Sequence, residues 1–593
     1  MGNAFDPDAN ARQAGGAEPA AADARMRLNI GLTAHRDLVH AQEPALREAV
    51  RVFLENLRAQ YPSLPLRLIS ALAEGGDQLV AEEALNLGIE LMAPLPMPQA
   101  EYERDFTDPA TLARFRTLLA RAQVRVLPLA PGNSAAGIAA RGPARNRQYA
   151  QLGMFVSSHC QLLLALWDGH PSHATGGTAQ VVDFHLHDVM PDFGIHEAAP
   201  NLLADDESDL IYHVSVSRRL QDGREPRLPP LSTRWLTLNG ESETTAQLPE
   251  PYRTVFGQLE TFNVDAARHA DTIAATRSTL FAGELPSTPP PRIALLDQQL
   301  RAADWLAMHF QKQVRRSLFW THFVAALMGL SFIFYSDIAT DRWCLASFLT
   351  LFFIALVLHH IGERRQWQRK YLDYRGLAEG LRVQIYWRLA DVETPPNSSL
   401  GYDGFLQKQD VDLSWIRHAM RGSGLLRDEG FAADARWLRW TIAHWIGDAS
   451  GKGGQLEYFR QGTTRREHAH HRTARLGRAA LSAGLLGAAV LLVGGDHLPG
   501  PVQQALVVTM GLLPLLAGIR EAYSYKRADR ELIKQFRFMR RLFESCRERL
   551  TLARSEAEQR QLLTSLGRAC LEEHAEWMLL HRERPLEHAQ LAG

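Results

Sequence analysis

The residues best suited to chemistry gather in four short segments: Gly31–Asp37, Glu74-Gly75-Gly76-Asp77, Asp168-Gly169 and Gly176-Gly177-Thr178. Glycine lets a backbone come close to a ligand, and a helix N-terminus offers unpaired N–H groups with partial positive charge, a combination that suits phosphate. Gly75, Gly76, Gly176, Gly177 and Thr178 are the candidates for that role. Gly31, Thr33, His35, Arg36, Glu74, Asp77, Asp168 and Gly169 are the candidates for lining and polar recognition. One such segment alone reads as an ordinary turn. Four of them at corresponding strand ends point to a binding site.

The elements that must position them follow from apolar patterning. Leu28–Leu32, Leu66–Ser70, Ile89–Ala93, Val124–Leu127 and Gln161–Trp167 read as strands, with Leu210–Val216 as a late strand. Between them, residues 43–59 carry Leu46, Val50, Phe53, Leu54 and Leu57 at helical spacing. Residues from Gln78, Phe106–Ala122 and Tyr149–Ser158 are also helical in pattern, and Gly176-Gly177-Thr178 opens another helix. Strand and helix in alternation predict an α/β fold with a doubly wound parallel sheet. Ligands in such sheets bind beyond the carboxyl ends of the strands, where the four segments fall.

The rest of the chain is of another kind. Its 593 residues suggest about three to five units. Lys plus Arg is 65 and Asp plus Glu is 66, a balance that argues against a nucleic-acid-coating protein. The 4 cysteines form no C-x-x-C pair, so neither a disulfide framework nor a structural zinc site is expected. A mean hydropathy of -0.20 excludes a mostly transmembrane chain but not a few spans. Residues 1–25, rich in Ala and Gly, read as a disordered tail with no signal peptide.

Ser317–Tyr335 and Trp343–Ile361 are each about as long as the ~20 residues a bilayer requires. A short linker with two aspartates joins them. Arg315 and Arg316 flank one end; Arg364, Arg365, Arg369 and Lys370 flank the other. Ala479–Gly494 and Val502–Ile519 form a second pair, framed by Arg472, Arg475 and Arg478 and by Arg520, Lys526 and Arg527. Cations on the outer flanks predict two hairpins with both ends in the cytoplasm. After each hairpin comes a long helical segment. In the second, Leu532, Phe536, Met539, Phe543, Cys546 and Leu550 alternate at four and three, a heptad seam awaiting either a partner subunit or a neighbouring helix.

Other constellations are weaker. His468, His470 and His471 read as a headgroup-facing stretch. Asp183, His185, His187 and Asp188 alternate as on one strand face, with no metal site expected. Asp205-Asp206-Glu207 reads as a solvated loop, and Pro286–Pro291 as a linker.

Gly31-Leu32-Thr33-Ala34-His35-Arg36-Asp37-Leu38, Ser70–Asp77, Leu166–Gly169 and Gly176–Thr178 resemble the SLOG domain, a Rossmann-like relative of the Lonely Guy enzymes, over about residues 26–220. The resemblance implies a pocket for a nucleotide-derived signal. Lonely Guy enzymes hydrolyse a nucleoside monophosphate and carry a glutamate three residues after the motif threonine. Here that place holds Val181, with Asp183 two residues on; Arg145 and Arg147 are the loose counterparts of the family arginine. Ribosyl cleavage needs a carboxylate, so the expectation is binding without catalysis. A membrane-tethered nucleotide glycosidase using Glu74 is the alternative.

Tyr371–Trp387 with the preceding hairpin resembles the SLATT group of two-transmembrane effectors, well over about 300–400 and in layout over 460–570. The expected layout has a connecting region at 221–300, the first hairpin at 301–400, a cytoplasmic linking region at 401–470, and the second hairpin with its helices at 471–593. The resemblance implies a multi-pass inner-membrane protein with the sheet domain and C-terminus in the cytoplasm. It further implies a homo-oligomer that perturbs or perforates the bilayer in a bacterial conflict system, with no cofactor and no nucleic-acid partner.

Overall fold

The computed structural model describes residues 24–582, apart from 173–174, 192, 194–208, 220–224, 239, 243–246, 277–278, 282–283, 339, 393–404, 406–412, 426–430, 432–433, 449 and 495–496. The expected tail to residue 23, the acidic Asp205–Glu207 and much of 401–430 therefore lie outside the described residues.

The first part is a mainly parallel sheet of strands β1 (Leu28–Ala34), β2 (Leu66–Ile69), β3 (Glu90–Leu95), β4 (Gln123–Val126), β5 (Leu162–Trp167), β6 (Ile211–Ser215), β7 (Thr233–Thr237) and β8 (Gly240–Ser242). Their order is β4-β3-β2-β1-β5-β6-β7-β8. All six early strands run parallel; β7 and β8 are antiparallel additions, so the sheet extends past residue 220. The long helices of this part are α1 (Glu43–Gln60), α2 (Gly76–Asn86), α3 (Pro109–Leu119), α4 (Pro143–His159) and α5 (Thr178–His187).

Strand alternation separates two cores. Leu28, Ile30, Leu32, Leu162, Leu164 and Leu166 face the core that also receives α1 and α2. Leu163 and Ala165 face the other, with Val156 of α4 and Val181 of α5. Both faces of a parallel sheet must be covered in this way. Gly31 lies on the α4 side. A Cβ there would sit 2.8 Å from the Cys160 Sγ and 2.9 Å from Val156, so this glycine serves helix–strand packing.

A helical part follows: α6 (Glu250–Arg268), α7 (Pro291–Asp337), α8 (Arg342–Arg364), α9 (Trp367–Leu389), α10 (Ser414–Gly424), α11 (Gly454–Gly494), α12 (Gly500–Lys526), α13 (Asp529–Leu552) and α14 (Glu556–Arg582). The α7, α8, α11 and α12 helices are long and apolar enough to cross a membrane, and their apolar windows are almost wholly unburied by protein. Leu492 and Val493 are both 87% exposed, and Phe319, Trp320, Phe353 and Leu486 are exposed as well. So much exposed apolar surface marks a membrane-associated protein. The two hairpins touch: a Cβ on Gly329 would clash with Leu515, and one on Gly511 would meet Ile333 at 3.3 Å.

The heptad seam of α13 is buried inside the same chain. Phe536 and Phe543 pack on Phe459 of α11, with ring centroids 5.3 and 5.6 Å apart, so this seam needs no second subunit. The connecting and linking regions are also structural. Asn263 of α6 donates to the Met26 and Ser63 carbonyls, at 2.9 and 2.8 Å. Every side chain of α10 from Ser414 to Met420 is buried. Its His418 carbonyl accepts from Gln161 at the start of β5, at 2.7 Å, and its Met420 carbonyl accepts from Gln384 of α9, at 3.1 Å.

Candidate functional site

β1 and β5 are neighbours, yet the chain leaves β1 toward β2 on the opposite side. That reversal opens a crevice at the carboxyl ends of β1 and β5. A cavity of about 250 Å³ occupies it. Among the sequence candidates it is lined by Thr33, His35, Arg36, Asp77, Gly176, Gly177 and Thr178. Its remaining wall includes Asp37, Tyr102, Tyr149, Gly153, Val181 and Arg218.

The phosphate-type end is well formed. Gly177 caps α5 with no side-chain cap, and among the described residues nothing accepts from the N–H groups of Gly177, Thr178 or Ala179. Such first-turn amides bind anions. Gly176 makes this approach possible: it has φ +77°, and a Cβ there would lie 2.6 Å from Tyr149. Opposite stands Arg36, exposed, with its guanidinium 5.4 Å from the Tyr149 ring centre. No carboxylate of the described residues lies within ion-pair distance of Arg36; it donates to the Tyr149 hydroxyl and feels Asp77 through space, which holds the guanidinium at the cavity.

Two other carboxylates are already engaged. Asp168 Oδ1 lies 3.3 Å from the His35 Nε2 and accepts from the His170 amide at 3.0 Å. Burial would raise its pKa, but those contacts and the Arg218 guanidinium at 3.6 Å hold it at about 2. Asp37 is likewise lowered against its burial by Arg218, whose Nε is 2.9 Å away. Asp77 is different. Burial pushes it up to about 7, against the opposing pull of Arg36, the Ala73 amide and the Ser70 hydroxyl. It is the cavity carboxyl that can be neutral, and so donate a hydrogen bond, near neutral pH.

The other candidates sit behind the wall. Gly75 has φ +86° and its Cβ position would overlap the Arg36 carbonyl at 2.2 Å. Gly76 donates its N–H to the His35 carbonyl at 3.2 Å. These two glycines thus lock the first turn in place and do not offer amides to a phosphate. Glu74 accepts from the Thr111 hydroxyl at 3.4 Å and does not line the cavity. Gly169 has φ +82° and closes against Arg227.

Val181 reaches the cavity and abuts Gly153, which a Cβ would bring to 2.5 Å. Asp183 points away, 64% exposed. The family-arginine counterparts are committed elsewhere: Arg145 pairs with Asp105 at 2.7 Å, and Arg147 lies over the Phe193 ring. The Asp183–Asp188 alternation is helical, with buried His185 beside Ser157 at 2.7 Å and His187 outside. Among the described residues no group of three or more His, Cys, Asp or Glu side chains could hold a metal.

Sequence reasoning missed Tyr102, Tyr149 and Arg218. Arg218 follows a strand end, as the recognised segments do, but has no glycine beside it; the two tyrosines come from helical pieces far along the chain. No family model, curated protein or solved structure matches the chain.

Proposed function

We propose that the protein is a membrane-anchored sensor-effector: the sheet domain binds a nucleotide-derived signal, and the bound state drives the hairpins to perforate or disrupt the bilayer. The observation that carries this reading is the crevice between β1 and β5, where the unpaired α5 amides and Arg36 converge on one cavity. Phosphate would sit on Gly177, Thr178 and Ala179 under Arg36. Tyr102 and Tyr149 would flank the rest of the ligand, and Asp77 would meet its polar edge. The sheet domain and C-terminus lie in the cytoplasm, the membrane is the inner one, and the output is arrest or death of an infected bacterial cell, within an oligomer.

Val181 in place of a carboxylate, and Glu74 turned to Thr111, support binding without turnover. The test is equilibrium binding of the full chain in detergent to adenosine monophosphate, adenosine diphosphate, ADP-ribose and cyclic dinucleotides, with free base assayed in parallel. Binding by at least one, lost in Arg36→Ala and with no base released, is expected. No binding by any of them rejects the nucleotide sensor. Release of base that Glu74→Ala abolishes establishes the glycosidase instead.

A further inference from the structure

The α11 helix changes character along one exposed face. Arg465, His468, Arg472 and Arg475, spaced at three and four, are exposed, as are His471 and Arg478. Beyond Ala479 the exposed residues of the helix become Leu485, Leu486, Leu492 and Val493. Such a switch marks the boundary between hydrocarbon and headgroups. Arg472 to Arg478 spans about 9 Å at ~1.5 Å per residue, close to the depth of one headgroup layer.

The basic flanks of the first hairpin repeat the pattern. The exposed arginine pairs at 315–316 and 364–365 flank the first hairpin. None of these seven arginines has a carboxylate of the described residues within ion-pair distance. By contrast, the linker at the far end of the first hairpin carries Asp337 and Asp341 against Arg342.

Surface cations left unpaired in this way complement an anionic surface, and each is worth about 1 kcal/mol, or about fivefold, beside one. We infer that this collar binds anionic phospholipid headgroups and that Arg472, Arg475 and Arg478 form its principal contact. The partner is the lipid itself, drawn from the leaflet next to the sheet domain. The inference is independent of any ligand in the sheet cavity.

The test places the full chain in phosphatidylcholine vesicles containing spin-labelled phosphatidylglycerol or spin-labelled phosphatidylcholine, and reads the motionally restricted fraction by electron spin resonance. The expected result is enrichment of phosphatidylglycerol at the protein by about threefold or more. It should fall toward parity in the triple variant Arg472→Gln, Arg475→Gln, Arg478→Gln and be retained in the corresponding triple lysine variant, which keeps the charge. Equal association of the two lipids with the wild type would overturn the inference. So would unchanged enrichment in the glutamine variant. Displacement by inorganic phosphate beyond that by sodium chloride of equal ionic strength would show a free-phosphate site instead.

Discussion

Each hairpin ends in the same joint. A residue in left-handed conformation, Gln366 after α8 and Ala528 after α12, breaks the helix and starts the next one, α9 or α13. The environments of these two successors differ. α9 is buried around most of its circumference, among α7, α10 and α14, and carries Asp373, Gly376, Gly380 and Gln384 inside. α13 buries one seam, Ile533 to Leu550, against α11 and α14 and leaves its other face to solvent. The first hairpin is thereby tied to the sheet through α10 and Gln161; the second braces the bundle from outside. A repeated layout in sequence has become two mechanical roles, decided by what packs against the second half of each repeat.

The largest expected contrast is electrostatic. Glu379 is held between Arg375 and Arg382, with Asp304 and His574 nearby. Burial opposes its charge, yet the two guanidiniums keep its pKa below the ordinary value. Glu379→Ala leaves two guanidiniums to share Asp304 alone and should cost up to about 3–5 kcal/mol. Glu544→Ala, which removes a half-exposed partner 3.5 Å from Arg460 on α13, should cost about 0–1 kcal/mol. Thermal unfolding in detergent reads both, and equal losses would erase the distinction between hub and brace.

A smaller effect sharpens the link itself. Gln161→Ala leaves the His418 carbonyl and the Asn29 amide without their side-chain partner. The cost should be about 1–3 kcal/mol. Hydrogen exchange should quicken in α10 while protection in α13 stays unchanged. Quickening shared equally by α13 would mean that the tie runs elsewhere.

The smallest effect concerns the cavity floor. Asp77 has its pKa raised to about 7 by burial, so the folded state favours its neutral form. Its contribution is fully present below about pH 4 and is lost as pH rises through about 7. Asp77→Asn should therefore leave stability at pH 4 unchanged and raise the melting temperature at pH 8 by a few degrees. A melting temperature lowered equally at both pH values would show that Asp77 acts only through the Ser70 hydrogen bond.

Much of this fold was legible because apolar runs and their periods are local. The parallel strands, the crossover helices and all four long apolar segments follow from such runs. The β7–β8 hairpin escaped because Thr233-Arg234-Trp235-Leu236-Thr237 is half polar, and the burial of Arg234 beside His213 is a tertiary fact. The α10 helix escaped for the same reason: Arg417, His418 and Arg421 read as surface residues, yet all three are buried between sheet and bundle. In the site, the segments expected at strand ends do gather. Which glycines face the cavity and which lock a turn depends on loop crossings such as Gly75 over Arg36, and local sequence carries no record of them.

The central claim is that occupancy of the sheet cavity reaches the hairpins. Dye release from vesicles holding the full chain, titrated with whichever nucleotide of the panel binds, tests it most directly. Ligand-dependent release that Arg36→Ala abolishes is the predicted result. A nucleotide that saturates the cavity and leaves release at its basal level would contradict the account.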